Sequence, residues 1–212
     1  GFESPRPEAD FVHNLPGYEG KVAAWLEVPI SEGRESGGQS KSRRAEAHRI
    51  ARELRTLINA NPKLTFGVIG FYSAQVPKLC EELCQVGLMD RDDEGRFRVA
   101  KEYRDVEDDG GEKHERLRVG TVDAFQGKEF DVVFVSMTRS NDISAADAEG
   151  MKKKYGFLML PNRLCVAMSR QMRLLIVAGD SGMVLSRGAD AAVPALRAFH
   201  DLCGGPYGAR VR

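Results

Sequence analysis

The sequence has no phosphate-binding loop. Nowhere among its 212 residues does G-x-x-x-x-G-K-[ST] occur, and Gly20-Lys21 and Gly127-Lys128 lack both the upstream glycine and the following hydroxyl. No G-x-G-x-x-G follows a strand-like run, no apolar run ends in Asp-Glu, and no G-x-S-x-G elbow is present. The four histidines, His13, His48, His114 and His200, show no metal-ligand spacing. Taken alone, the chain is therefore not a complete NTPase, a triad hydrolase or a metalloenzyme. No apolar run approaches the 18 residues of a membrane span, and Gly1 to Asp10 lack the layout of a signal peptide, so no membrane partner is expected. Cysteine is scarce. Cys80, Cys84, Cys165 and Cys203 lie in apolar surroundings, with Cys80 and Cys84 one helical turn apart rather than in a C-x-x-C clip. They read as reduced core thiols of an intracellular, cytoplasmic protein. Lys plus Arg and Asp plus Glu both number 31, so no global field recruits a polyanion and any nucleic acid must be held by a local patch.

What is present is a globular composition, 42% hydrophobic and 29% charged, sufficient for one α/β domain with a real core. Strand-like runs at Lys21–Pro29, Leu64–Phe71, Arg118–Val122, Phe130–Met137 and Arg173–Gly179 alternate with helical patterns. The best helix covers Ser42–Asn59, with Ala47, Ile50, Ala51, Leu54, Leu57 and Ile58 on one face and Asn61-Pro62 stopping it. A second helix carries Val76, Leu79, Cys80 and Leu83; a third opens at Pro161; Val193, Leu196, Phe199 and Cys203 mark a closing one. The alternation predicts a mostly parallel sheet between two layers of helices. Residues 1–20 read as an irregular lead-in, 21–203 as the domain and 204–212 as a tail, with Ile30–Ser42 a mobile loop. The charged stretch 89–116 reads as an insertion with a hairpin around Phe97-x-Val99, solvated and dispensable for folding.

Three stretches carry candidate chemistry. In Val119–Asn141 (VGTVDAFQGKEFDVVFVSMTRSN), Thr121, Asp123, Gln126, Gly127 and Glu129 fall within nine residues between two strands. A polar connection with one helical turn would explain any two of them but not all five, and Gly127 suggests a close backbone approach. In Gly156–Asp180, Arg163 and Arg170 are seven residues apart. On one continuous helix they would share a face about 10 Å apart, suited to an anion with several oxygens such as a triphosphate. In VIGFYSAQ a strand delivers Tyr72, Ser73 and Gln75 at its C-terminal end, the edge where α/β sheets bind ligands, although half-buried packing and helix capping would also account for Tyr72 and Ser73.

Together, VDAFQGKEFDVVFVS, TRSN and GF…PNRLCVAMSR resemble motifs V and VI of superfamily 1 nucleic-acid helicases, especially the nonsense-mediated-decay helicase subgroup. VIGFYSAQ resembles motif IV of that group, and the helix with Arg44, Glu46 and Ala47 its preceding Glu-Ala segment. The resemblance covers roughly residues 40–185 and implies a RecA-like three-layer sandwich, the second of two motor domains. ATP and Mg²⁺ would be bound mainly by the first RecA-like domain of the same parent chain. On this resemblance Arg170 is the arginine finger. Gly127 and Glu129 approach the phosphates and ribose, Gln126 and Arg163 support the nucleotide switch, and Tyr72, Thr121 and Asp123 line the path of single-stranded DNA or RNA. Arg139 and Lys152-Lys153-Lys154 supply local positive charge for the strand, though the lysines individually read as a solvated loop. Two departures stand out: Asn162-Arg163 where the family often has Arg-Arg, and Cys165 where it has Asn. The family's Tyr-Arg segment is not recognisable in residues 1–20. The rival expectations are a non-catalytic RecA-like module that binds nucleic acid or regulates, and an unrelated flavodoxin-like domain, which would carry FMN.

Overall fold

The computed structural model describes residues 8–108 and 110–212. Its apolar runs assemble into one six-stranded sheet made of β1 (Ala23–Glu27), β2 (Phe66–Gly70), β7 (Leu117–Thr121), β8 (Phe130–Ser136), β9 (Gln171–Gly179) and β10 (Gly208–Val211). The order is β10-β1-β9-β8-β2-β7, and every neighbouring pair is parallel. All seven residues of β8 are buried, as a strand covered on both faces requires. Its side chains divide by alternation: Val132 and Phe134 enter one core, Val133 and Val135 the other. Leu174, Ile176 and Ala178 of β9 join the first, and Leu175 and Val177 the second.

Helices α1 (Arg44–Ala60) and α2 (Gln75–Gln85) cover the first face. The predicted stripe of α1 is buried in full, and the helix ends where Asn61 N donates to Leu57 O. The second face is covered by α3 (Ala148–Tyr155), α4 (Pro161–Ala167), α5 (Ser181–Leu185), α6 (Ala189–Ala192) and α7 (Pro194–Leu202), with a 3-10 turn at Val122–Phe125. The expected three-layer α/β sandwich is therefore the observed fold.

Four segments depart from their sequence-based description. The stretch 89–116 folds as two hairpins, β3 (Met89–Arg91) with β4 (Phe97–Val99) and β5 (Asp105–Glu107) with β6 (Lys113–Glu115). It is not merely solvated, because Met89, Ala100 and Tyr103 belong to the first core. Tyr103 accepts from Arg55 Nη1 (2.6 Å) and donates to Asn59 Oδ1 (3.1 Å), while Arg116 Nη2 donates to Ile58 O (2.8 Å). The tail forms edge strand β10, paired along its length with β1. The lead-in is irregular yet anchored: Leu15 and Tyr18 are buried, and Tyr18 Oη donates to Glu53 Oε1 (2.8 Å). Residues 30–42 contain a 3-10 turn at Ile30–Glu32 and a Ser36–Ser42 bridge, and Ser40 Oγ accepts from Ala74 N (2.9 Å). Among the described residues no helix is long and apolar enough to cross a membrane, and all four cysteines are free.

Candidate functional site

Because β7 and β8 run parallel on either side of β2, the chain between them must travel back from the C-terminal to the N-terminal edge of the sheet. It does so over two glycines. A Cβ on Gly67 would lie 2.7 Å from Phe125 Cε1, and one on Gly120 would lie 2.8 Å from Ala124 Cβ. The missing side chains let the 3-10 turn at Val122–Phe125 rest on the sheet, with Val122 and Phe125 buried and Asp123 exposed. Gln126, Gly127, Lys128 and Glu129 follow, all exposed. Gly127 has φ +70° with open space where a Cβ would stand, so its glycine is explained by the left-handed backbone conformation.

The four polar residues of this stretch and Gly127 are not one tight cluster. Register puts Thr121 opposite Gly70 at the end of β2, whereas Val132 lies opposite Phe66 at its start. Thr121 and Val132 thus lie roughly 13 Å apart along the strand direction, and Glu129, three residues before Val132, falls toward the opposite edge of the sheet from Thr121.

The predicted single helix face for Arg163 and Arg170 is also corrected. Helix α4 ends at Ala167, and the chain turns through Met168 and Ser169 before β9. Arg163 is on the helix and Arg170 is beyond it, at the strand's threshold, where its carbonyl accepts from Phe130 N (2.9 Å). This bond sets Arg170 beside Glu129-Phe130, a neighbour relation that helical spacing could not show. The Arg170 guanidinium donates from Nε to Val166 O (3.0 Å) and from Nη2 to Ser169 Oγ (2.8 Å). Among the described residues, no carboxylate lies within ion-pair range of it. Arg163 Nη2 instead pairs with Asp123 Oδ2 (3.2 Å), joining α4 to the 3-10 turn, and its Nε is buried without an acceptor. Leu164 and Ala167 anchor α4 in the second core. Asp123, Gln126, Gly127 and Glu129 are thus exposed along the connection, to which Arg163 is tied through Asp123 and Arg170 through the Phe130 amide.

Tyr72 and Arg139 belong elsewhere and are buried, so neither is presented to a nucleic-acid strand as expected. Tyr72, 2% exposed, follows β2; its hydroxyl accepts from Phe157 N (3.0 Å). Burial raises its pKa above the ordinary phenol value, with Arg139 opposing the shift. Arg139, 4% exposed, pairs with Glu35 Oε1 (3.1 Å) and donates to the carbonyls of Lys153 and Lys154. An internal acid and two carbonyls consume its donors, which is why it cannot serve as surface charge. Of the lysine run, Lys152 and Lys153 are exposed, whereas Lys154 is buried over the Tyr155 ring.

A buried polar knot beneath this edge is barely announced in the sequence. Glu46 accepts from Ser136 Oγ (2.5 Å) and Thr138 N (2.8 Å) and lies 3.4 Å from Arg43 Nη1. Gln75 accepts from Arg43 N (2.7 Å) and donates to Arg43 O and Ser136 Oγ. It therefore clamps the start of α1 and is not a ligand-facing group. Thr138 adopts φ +68°, and its Oγ1 is buried without a partner. A β-branched residue in that conformation is strained, and such strain concentrates at functional sites. The signal for it in the sequence is the polar T-R-S-N soon after a nearly continuous apolar strand.

A family profile described as "AAA domain" matches residues 6–182. The chain belongs to this AAA-domain family. Curated relatives of this AAA-domain chain include the Helicase required for RNAi-mediated heterochromatin assembly 1 of Schizosaccharomyces pombe, 41% identical over 73 residues, 34% of this chain and 6% of that protein. DNA polymerase alpha-associated DNA helicase A of Saccharomyces cerevisiae is 42% identical over 64 residues, 30% of this chain and 8% of that protein. Regulator of nonsense transcripts 1 of Caenorhabditis elegans is 39% identical over 74 residues, 35% of this chain and 6% of that protein. These matches thus span under a tenth of each of the three relatives. A solved structure described as the C-terminal domain of a possible DNA helicase from Lactobacillus plantarum aligns with TM-score 0.44 and 16% identity, covering 84% of this chain and 87% of that one.

Proposed function

We propose that this AAA-domain chain is the second motor domain of an ATP-dependent DNA or RNA helicase or translocase, and that it completes an ATP site held mainly by a first RecA-like domain of the same parent chain. The observation that carries the reading is Arg170, whose guanidinium has, among the described residues, only a carbonyl and a hydroxyl as hydrogen-bond partners, and whose carbonyl accepts from the amide that follows Glu129. The helicase names of the curated relatives point the same way.

The residues present fit the outer part of a nucleotide site and not its cradle. Arg163 Nε is a buried donor lacking an acceptor, and the Gly127 turn leaves its backbone open. No loop of amides with a lysine exists here to enclose the phosphates. When bound, ATP with Mg²⁺ supplies the phosphoryl chemistry, in which catalysis is mostly positioning and charge stabilisation. Arg170, paired with no acid among the described residues, can leave its local carbonyl at small cost and offer a planar fork to phosphate oxygens. Arg163 stays tethered to Asp123, so movement of the 3-10 turn is passed to α4. Gln126, exposed between Asp123 and Glu129 in the chain, offers a neutral hydrogen-bonding side chain, and Glu129 precedes the residue whose amide bonds the Arg170 carbonyl. Thr121, at the C-terminal end of β7, and Asp123, on the 3-10 turn, are the residues assigned to the single strand, and the Asp123 ion pair couples strand contact to Arg163.

Two measurements on the purified 212-residue chain test this reading. Single-stranded oligonucleotide binding, followed by fluorescence anisotropy, is expected and should weaken with salt. ATP turnover is not expected. Robust turnover by the chain alone would overturn the half-motor assignment, and absence of any single-strand binding would overturn the strand path.

A further inference from the structure

Phe157 is the aromatic ring that the Tyr72 edge presents to solvent. It is 46% exposed, while its ring lies over that of Tyr72 with centroids 5.0 Å apart and planes inclined by 21°. A singly exposed apolar residue is ordinarily incidental. Here several constraints converge on it. The Phe157 amide donates to Tyr72 Oη (3.0 Å). The preceding Gly156 has φ +53°, and a Cβ there would lie 2.5 Å from Tyr72 Oη and 3.1 Å from Arg139 Nη1. Arg139 in turn holds the carbonyls of Lys153 and Lys154, fixing the end of α3 from which Gly156-Phe157 emerges. Two buried side chains and a glycine in a disfavoured conformation thus hold one half-exposed ring flat on a second ring.

We infer that Phe157 is a base-stacking platform for single-stranded nucleic acid at the C-terminal edge of the sheet, and that Tyr72 and Arg139 position it without touching the strand. The inference rests on the proposed strand path and gives it a contact residue. A flat ring already stacked on one side suits another flat ring, and every base offers a π-face. Exposed Lys152 and Lys153, in the last turn of α3, stand within a few residues for the phosphates, Lys153 from an exposed pair with Glu149 (2.6 Å) that a phosphate can replace. In the second core nearby, Tyr155 and Leu158 turn inward, leaving Phe157 to project from between them.

The experiment uses the 212-residue chain and a labelled oligothymidylate of about 12 nucleotides. Phe157→Ala should weaken binding about 5- to 150-fold, the range of one lost base stack. The slope of log affinity against log salt should stay unchanged, because no phosphate contact is removed. Phe157→Trp should retain affinity and report directly: its emission should be quenched by the oligonucleotide, whereas native Trp25, 1% exposed, should not respond. This second variant keeps the aromatic ring and gives a result even if Phe157→Ala folds poorly. Binding by Phe157→Ala equal to that of the native chain overturns the inference and leaves the strand path standing. Binding by Phe157→Trp with unchanged emission also overturns it. If the native chain binds no oligonucleotide, the proposed strand path falls, and this inference with it.

Discussion

Glu46 provides a stability prediction whose sign and size follow from its surroundings. The carboxyl is fully buried, and burial pushes its pKa from 4.5 up to about 7. Arg43 and the hydrogen bonds from Ser136, Thr138 and Arg43 oppose the shift without cancelling it. Their weakness has a visible cause. The Arg43 guanidinium is shared among the carbonyls of Val28, Pro29 and Gly33, each at 2.8 Å, and approaches Glu46 only to 3.4 Å. Since the folded state binds the proton more tightly than the unfolded state, the contribution to stability is full below about pH 4.5. It is lost as pH rises to about 7 and is constant above that. At ~1.4 kcal/mol per pH unit, the loss amounts to about 3 kcal/mol. The perturbation is Glu46→Gln, which removes the titration while keeping an acceptor, and the assay is urea unfolding from pH 4.5 to 8.5. His200, held below the ordinary histidine value by its burial and by Arg210, gives an opposing slope in the same window. Its effect is common to both proteins, so the difference between the two profiles isolates Glu46. The native chain should lose about 3 kcal/mol relative to Glu46→Gln between pH 4.5 and 7.5. A flat difference, or one that rises with pH, would refute the reasoning, since it would mean that Arg43 keeps Glu46 ionised.

Two further outcomes test the packing. Tyr103→Ala should destabilise by about 3 kcal/mol and lower the thermal midpoint by about 6–12 °C, because the ring is buried between Arg55 and Arg116 and bonds to α1; an unchanged midpoint would restore the view of 89–116 as a dispensable excursion. Gly67→Ala should cost about 1–3 kcal/mol in chemical unfolding, since the added methyl meets Phe125 at 2.7 Å and Phe130 at 3.2 Å and must displace the turn resting on β2.

The sheet is legible because its strands are apolar runs bounded by polar turns, and five of the six match those runs within two residues at either end. The sixth, Gly208–Val211, holds only four residues and gains its strand character from pairing with β1, which no local pattern announces. Tyr103 escapes for a related reason. Its partners Arg55 and Asn59 are more than forty residues away in sequence, and a lone tyrosine among charges reads as solvated. The site is legible as residue types but not as geometry. Periodicity cannot tell that α4 stops at Ala167, so spacing puts Arg170 on a helix it does not occupy. Nor can it tell an exposed arginine from a buried one, which is why Arg139 reads as surface charge although Glu35 and two carbonyls enclose it. Phe157 gives no signal of its own because a phenylalanine beside a glycine reads as core.

The most direct test of the central claim is the steady-state kinetics of Arg170→Ala in the parent protein carrying both motor domains. Among the described residues the Arg170 side chain hydrogen-bonds only to Val166 O and Ser169 Oγ, and it is not part of either core, so its removal opens no core cavity and the fold should be intact by thermal unfolding. Nucleic-acid-stimulated ATP hydrolysis should fall about 10³-fold, mainly in kcat with little change in KM, and Arg170→Lys should rescue little because an ammonium lacks the planar fork. Single-strand binding without nucleotide should persist. Near-normal turnover by Arg170→Ala, or its unfolding, would make Arg170 a structural residue and contradict the account.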